Sequence, residues 1–244
     1  MTAAVAVVVP AHNEQLLLPR ALNALEVARR HPALTGVRIV TVVAADSCRD
    51  RTAALARAAG VEAVEVSGRN PGAARAAGVA HALTVLGTRP ADIWIATTDA
   101  DSAVPPDWLA RQVGHAAEGW EAVVGTVRVE SWPPHAAALA ARFEELYEAS
   151  RPETGLPWEH PHVHGANLGV AAAAYLRVGG FPSLTVGEDR ELVAALERGA
   201  HRILRTADCT VVTSARLRAR AKGGFGDFLT GLALPETARA ESAG

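Results

Sequence analysis

The chain has 244 residues, 49% of them hydrophobic and 20% charged, which allows a large buried core and excludes a disordered protein. A net charge of −2 and a pI near 6.5 give no reason to expect nucleic acid or an anionic membrane surface as a partner. No apolar run approaches the roughly 20 residues of a membrane span, the start lacks the features of a signal peptide, and two cysteines, Cys48 and Cys209, make no disulfide framework; a cytoplasmic protein with reduced thiols is expected.

Residues 5–9 form a continuous apolar run that stops at Pro10, the pattern of a buried parallel strand. Leu18, Leu22 and Leu25 then recur at helical spacing. Residues 37–44 predict a second strand, 51–59 a helix closed by Gly60, and 61–66 a third strand. Asn70 and Pro71 open another helix, the Asn as N-cap and the Pro in the first turn, with Val79, Leu83 and Leu86 as its apolar stripe. Residues 93–97 are the fourth strand. This alternation predicts an α/β fold with a parallel, doubly wound sheet and ligands at the carboxyl ends of its strands.

The second half is less regular. A strand is expected over 122–129, a helix through Leu139, Phe143, Leu146 and Tyr147, and a Pro/His-rich loop over 151–164. Short helices follow over 171–178 and 190–198, then two short strands, 203–204 and 210–213. No linker-like stretch or repeat divides the chain, so one domain over 1–215 is expected, followed by a basic, Gly-containing tail, 216–244, that frays at its end.

The fourth strand ends in Asp99 and Asp101. Side chains two apart in an extended segment point the same way, and two like charges so close call for a cation. Mg²⁺ or Mn²⁺ accepts carboxylate oxygens while keeping sites for phosphate oxygens, which suits a reaction whose leaving group is a diphosphate. Alone, the pair reads equally well as an Asp-rich turn before the helix that follows Pro105. The helix start at Asn70 presents free N–H groups suited to phosphate or ribose oxygens, and Arg75, about one turn in, adds a full charge; a surface salt bridge is the plainer alternative.

Four segments occur in order after the predicted strands: "VVVPAHNE", "VVAADSCRDRT", "GRNPGAARAAG" and "TTDADS". With "HGANLGVAAAAYLRVGGF" and "GEDRELVAAL" further on, this succession resembles glycosyltransferase family 2, with its GT-A fold, over about residues 4–215. The resemblance implies a mostly parallel sheet with a small acceptor-side subsheet, a nucleotide-sugar-binding half over 1–102 and an acceptor half over 103–215. It implies a metal-dependent enzyme that moves a sugar from a nucleotide-diphosphate sugar to a small or soluble hydroxyl acceptor, inverting the anomeric carbon, with Mg²⁺ or Mn²⁺ as cofactor. A homodimer is left open.

Residue by residue, the resemblance places Pro10, Ala11, His12, Asn13 and Glu14 against the nucleoside, Asp46 at the base, and Asn70 and Arg75 at the diphosphate. Asp99 and Ala100 belong to the donor site, with Asp101 as direct metal ligand and Asp99 as ribose or metal-water partner. The family's third ligand, a His, is replaced here by Thr213 and Ser214; His162, His164, His201 or water are the substitutes considered. Asp189 is the expected general base, beside Glu188, and also reads as the N-cap of the 190–198 helix. Gly165, Ala166 and Asn167 form the expected acceptor floor, and Trp108, Trp132 and Trp158 are stacking candidates. Arg216, Arg218, Arg220 and Lys222 read, on composition alone, as a solvated basic face, with a cover over the diphosphate as the functional alternative. Three rivals remain. A metal-dependent hydrolase would use His160, His162 and His164, whose alternation can put three imidazoles on one side of a strand. A sugar nucleotidyltransferase would need a Gly-rich basic loop where "PAHNEQLLLPR" has only Arg20 and no glycine. A noncatalytic binding module would be expected to have replaced Asp101 or Asp189.

Overall fold

In this computed structural model, which describes residues 2–130, 132–133, 136–152 and 158–216, alternate residues of the first strand serve two different cores. β1 (Ala4–Ala11) lies in the middle of the sheet, paired in parallel with β2 (Arg38–Asp46) on one side and β4 (Ile93–Thr97) on the other. Val5, Val7 and Val9 face one layer, with Leu18, Leu22 and Leu25 of α1 (Leu18–Arg29). Ala4, Ala6 and Val8 face the other, with Val79, Ala82 and Leu86 of α3 (Pro71–Leu86). Because side chains alternate across a strand, a continuous apolar run is what two covered faces require.

The full sheet has seven strands in the order β3-β2-β1-β4-β6-β5-β7. β3 (Glu62–Val66) extends the parallel edge beyond β2, after α2 (Thr52–Ala58). β6 (Leu168–Ala171) runs antiparallel to both β4 and β5 (Ala122–Glu130), and β5 is parallel to β7 (Ile203–Ser214), so one strand is reversed in a mostly parallel sheet. Helices α4 (Trp108–Ala117), α5 (Ala137–Glu148), α6 (Ala172–Arg177) and α7 (Glu188–Arg198) complete the described α-helices. Among the described residues no helix is long and apolar enough to cross a membrane.

Several boundaries differ from those expected. Residue 171 ends β6 rather than starting a helix, and the two short strands over 203–213 are one strand with an irregularity in its β5 register between Gly125 and Val127. Helix α7 begins at Glu188, after Gly187 in the left-handed conformation (φ 78°), so Asp189 sits in the first turn instead of capping it. Asn70 caps α3 as expected, accepting from the Ala73 N–H at 2.9 Å. Helix α3 lies close on β1: a Cβ at Gly78 would stand 2.6 Å from a Val8 methyl. That close seat directs the start of α3 toward the carboxyl edge of the sheet. Arg218, Arg220 and Lys222 lie outside the described residues.

Candidate functional site

A cavity of about 800 Å³ opens at this edge, where β1, β2 and β4 end. It gathers Pro10, Ala11, His12, Glu14, Asp46, Arg75, Asp99, Ala100, Asp101, Gly165, Ala166, Glu188 and Asp189 from the residues expected in the sequence. Asn13, Asn70, Asn167 and Trp108 do not line it.

The nucleoside side is a set of interlocked loops. Asn13, in a left-handed conformation (φ 53°), accepts the Arg49 N–H at 2.8 Å and approaches His12 at 3.0 Å, so its amide ties the loop after β1 to the loop after β2. His12 Nδ1 donates to the Asp46 carbonyl at 2.6 Å. Asp46 is buried, and its carboxylate accepts from Ser47 Oγ (2.8 Å) and from the backbone N–H groups of Gly68, Arg69 (both 3.0 Å) and Asn70 (2.6 Å). Three of these donors converge on Oδ1 and one reaches Oδ2, so Oδ2 keeps a lone pair. Asp46 therefore shapes the loop before α3, and it also lines the cavity where a contact with a base was expected. Asn70 is likewise engaged as a cap and with Ser183 Oγ at 3.1 Å.

Arg75 is the buried centre of the site, only 4% exposed. Its guanidinium donates to Asp99 Oδ1 at 2.5 Å and to Glu188 Oε1, and stands 5.9 Å from the Phe181 ring centroid. A surface salt bridge is thus excluded. Burying a guanidinium is tolerable only because two carboxylates receive it. Glu188, expected among the catalytic groups, is 5% exposed and is a counter-ion to Arg75 at the cavity. Burial raises Asp99 to about 6 against the pull of Arg75, helped by the carboxylates of Asp101, Glu188 and Asp189. Because 37% of the Asp99 side chain is exposed, water screens part of that effect.

Asp101 is reached from the far edge of the sheet. Ala103 and Val212 exchange backbone hydrogen bonds (2.7 and 3.0 Å), which brings the loop after β4 against the end of β7. Ser214 Oγ donates to Asp101 Oδ2 at 2.7 Å, and Arg216 donates to the same oxygen at 2.5 Å and to Glu14 at 2.8 and 3.2 Å. Ser214 and Arg216 thus stand where a His ligand was sought, and Thr213 bonds Ser102 at 3.0 Å. The pairing of Glu14 with Arg216 spans the whole chain and had no sequence signal beyond that missing His. His201 pairs with Glu121 at 3.0 Å and does not line the cavity, so it is no substitute ligand.

The charges bear on a metal ion. Among the described lining residues, six carboxylates (Glu14, Asp46, Asp99, Asp101, Glu188, Asp189) face four guanidinium groups (Arg69, Arg75, Arg190, Arg216). A diphosphate entering this surplus of negative charge needs a further cation. No group of three or more His, Cys, Asp or Glu among the described residues is arranged to hold one by itself. Two carboxylates and a hydroxyl, all hard oxygens, fit a divalent ion that completes its shell with phosphate oxygens and water.

On the acceptor side, Asp189 Oδ2 accepts the Gly165 N–H at 2.7 Å and Oδ1 the Arg190 N–H at 2.8 Å. Thr97 Oγ1 donates to the Gly165 carbonyl at 2.6 Å, fixing that turn to β4. Two expectations fail here. Trp108 is fully buried and donates to Asn167 Oδ1 at 2.8 Å, while the Asn167 amide donates to the carbonyls of Thr126 (2.8 Å) and Cys209 (2.7 Å). Both belong to the core beneath the cavity floor, so neither an indole platform nor a free amide is offered to an acceptor. Trp158 is also buried, and Trp132 packs on Phe143.

His160, His162 and His164 do stand in a near-parallel stack, with centroids 5.8 and 6.2 Å apart. Their nitrogens do not converge. His160 Nε2 lies 3.1 Å from the carbonyls of Val124 and Thr206, and His162 Nε2 lies 2.8 Å from that of Tyr147. A carbonyl only accepts, so these two nitrogens carry the protons, and no three of the His, Cys, Asp or Glu side chains among the described residues are placed to hold a metal ion together. Burial lowers all three imidazoles, His164 to about 4. The stack is a structural wall, and the hydrolase reading loses its ligand set.

A family model described as glycosyl transferase family 2 matches residues 6–177. No curated protein matches the sequence. Among solved structures, the chain is similar to the mannosyltransferase PcManGT from Pyrobaculum calidifontis in complex with GDP-Man and Mn²⁺, with a TM-score of 0.66 and 21% identity over 89% of this chain and 58% of that one. It is also similar to S. aureus TarS 1-349 in complex with UDP-GlcNAc (TM-score 0.63, 14% identity, 97% of this chain and 69% of that one). S. aureus TarS 1-349 in another crystal structure gives a TM-score of 0.61 at 14% identity, over 87% of this chain and 60% of that one. The chain thus spans 58% to 69% of the length of these structures. At these identities the likeness shows the fold, the GT-A arrangement.

Proposed function

This chain belongs to glycosyl transferase family 2, and from that membership we propose that it transfers a sugar from a nucleotide-diphosphate sugar to a hydroxyl acceptor, with a divalent ion and inversion at the anomeric carbon. The observation that carries the reading is the cavity at the sheet's carboxyl edge, where a surplus of carboxylates around Asp99 and Asp101 adjoins the buried cation Arg75 and the carboxylate of Asp189. GDP-Man and UDP-GlcNAc, the donors bound in two similar structures, are the first to test.

The loops tied by Asn13 and Asp46 form the wall for the nucleoside. Arg75 and Arg216 supply fixed positive charge to the diphosphate side, and preorganised charge is the largest contribution most enzymes make to such a step. Asp101 and Asp99 would hold Mg²⁺ or Mn²⁺, which when bound offsets the charge of the departing diphosphate. Asp189 takes the proton of the acceptor hydroxyl while that oxygen attacks the anomeric carbon. The bond from that carbon to the phosphate oxygen breaks, and the diphosphate leaves with the electron pair. A single displacement from the opposite face inverts the centre. Hydrogen bonds from Gly165 and Arg190 hold the Asp189 carboxylate still, so little reorganisation is needed at the moment of transfer. Two unpaired cysteines suit a reducing, cytoplasmic setting.

The test separates binding from chemistry. Asp189→Ala should keep nucleotide affinity and lose transfer by about 10²–10⁴-fold, the usual contribution of a general base. Normal transfer by that variant would remove Asp189 from the mechanism.

A further inference from the structure

The cavity is divided by chemistry. Its charged groups surround the donor region, whereas the wall beyond Asp189 is built by Val127, Phe143, Leu146, Tyr147 and Val163. The polar side-chain groups at that wall are partly engaged within the protein. The Tyr147 hydroxyl accepts the Val127 N–H at 2.9 Å, and His162 Nε2 is held by the Tyr147 carbonyl. Beneath them, Asn167 and Trp108 bond each other and the backbone. The Gly165 N–H is held by Asp189.

A site that selects a sugar by its hydroxyl pattern needs unengaged donors and acceptors, because each bound hydroxyl must replace its water. Apart from the Tyr147 O–H, this wall offers methyl groups and ring carbon instead. At its mouth, two large apolar side chains face solvent while lining the cavity, Leu146 on α5 (45% exposed) and Val186 in the loop before α7 (38% exposed). Exposed apolar side chains that flank a concave site gain most by covering with another apolar surface.

We propose that the acceptor hydroxyl is carried on an apolar body, an aryl or alkyl group, that lies along Leu146 and Phe143 on one side and Val186 on the other while its hydroxyl reaches Asp189. The proposal rests on the glycosyl-transfer reading and narrows its acceptor class. The burial of both imidazoles nearest this wall, His162 and His164, keeps them neutral at pH 7 and leaves the surface without positive charge from that side.

The experiment is ligand-observed saturation-transfer NMR on the full chain with a nucleoside diphosphate and Mg²⁺, titrating methyl, phenyl and octyl β-glucosides. The phenyl or octyl compound should bind about tenfold more tightly than the methyl one, the expected gain for covering one large apolar side chain. Phenyl ahead of octyl identifies a flat ring, and the reverse identifies a chain. Leu146→Asn with Val186→Ser, both at exposed positions that should leave the fold intact, should erase the advantage and leave nucleotide affinity unchanged. Equal affinities for all three compounds, or an advantage that survives the double substitution, overturns the proposal. Absence of nucleotide binding in the parent protein overturns instead the transferase reading beneath it.

Discussion

Gly165→Ala probes the buried charge cluster through its closest steric contact. A Cβ at this position would stand 2.4 Å from Arg75 Nη2, 2.6 Å from Cζ and 3.1 Å from Nε, where ordinary contact begins at 3.4 Å. The guanidinium must therefore retreat by about 1 Å, as an overpacked site does. An arginine head in water would swing aside at little cost. This one is held by Asp99 at 2.5 Å and by Glu188, and its Nε is buried without a hydrogen-bond partner among the described residues. Overpacking alone costs about 1–3 kcal/mol, and breaking a buried pair about 3–5 kcal/mol. A loss of about 3 kcal/mol is expected, which lowers Tm by roughly 6–12 °C in a protein of this size. Nucleotide affinity should fall with it, since Asp99 and Asp189 share the same frame. Calorimetry of the single variant and of Gly165→Ala in an Arg75→Lys background isolates the contact. The slimmer lysine head should reduce the cost to below about 1 kcal/mol. A Tm within 2 °C (about 0.5–1 kcal/mol) of the parent, or the same cost in both backgrounds, would refute the reasoning.

Asp99 should show an inverted pH dependence. The folded chain keeps its proton up to about pH 6, whereas the ordinary value is 3.8, so between these values the folded state binds more protons and stability falls as pH rises. Asp99→Asn, whatever the loss of its bond to Arg75 costs, should remove this fall between about pH 4 and pH 6 in chemical denaturation; an unchanged slope would contradict this. Glu188→Gln should cost about 1–3 kcal/mol through its buried bond to Arg75 yet lower turnover less than about tenfold. A loss of 10²-fold or more at unchanged nucleotide affinity would restore Glu188 to the chemistry.

The first half of the fold is readable because its signals are local. An apolar run ending at Pro10, an Asn-Pro helix start at Asn70 and a glycine after residue 59 each act within a few residues, and β1 to β4 form where those signals place them. β6 is four residues, Leu-Gly-Val-Ala, too short and too small to be told from the helix that follows, and only its pairing with β4 and β5 defines it. In the site, the acidic residues were visible but their partners were not. Arg75 with Glu188, and Asp101 with Ser214, join residues 113 apart, and Arg216 meets Glu14 across 202. Trp108 and Asn167 misled for the same reason. An indole beside a motif and an amide in a small-residue turn look like ligand groups until the fold points each at the other.

The account stands on an ion that enters with the nucleotide and is held at Asp101. Isothermal titration of UDP and GDP into the parent and into Asp101→Ala, each with Mn²⁺ present and with the ion chelated, measures this directly. The parent should bind a nucleotide tightly only with the ion, and the variant should bind equally weakly in both conditions. Equal affinity in the parent with and without the ion, or ion-dependent binding that survives Asp101→Ala, would contradict it.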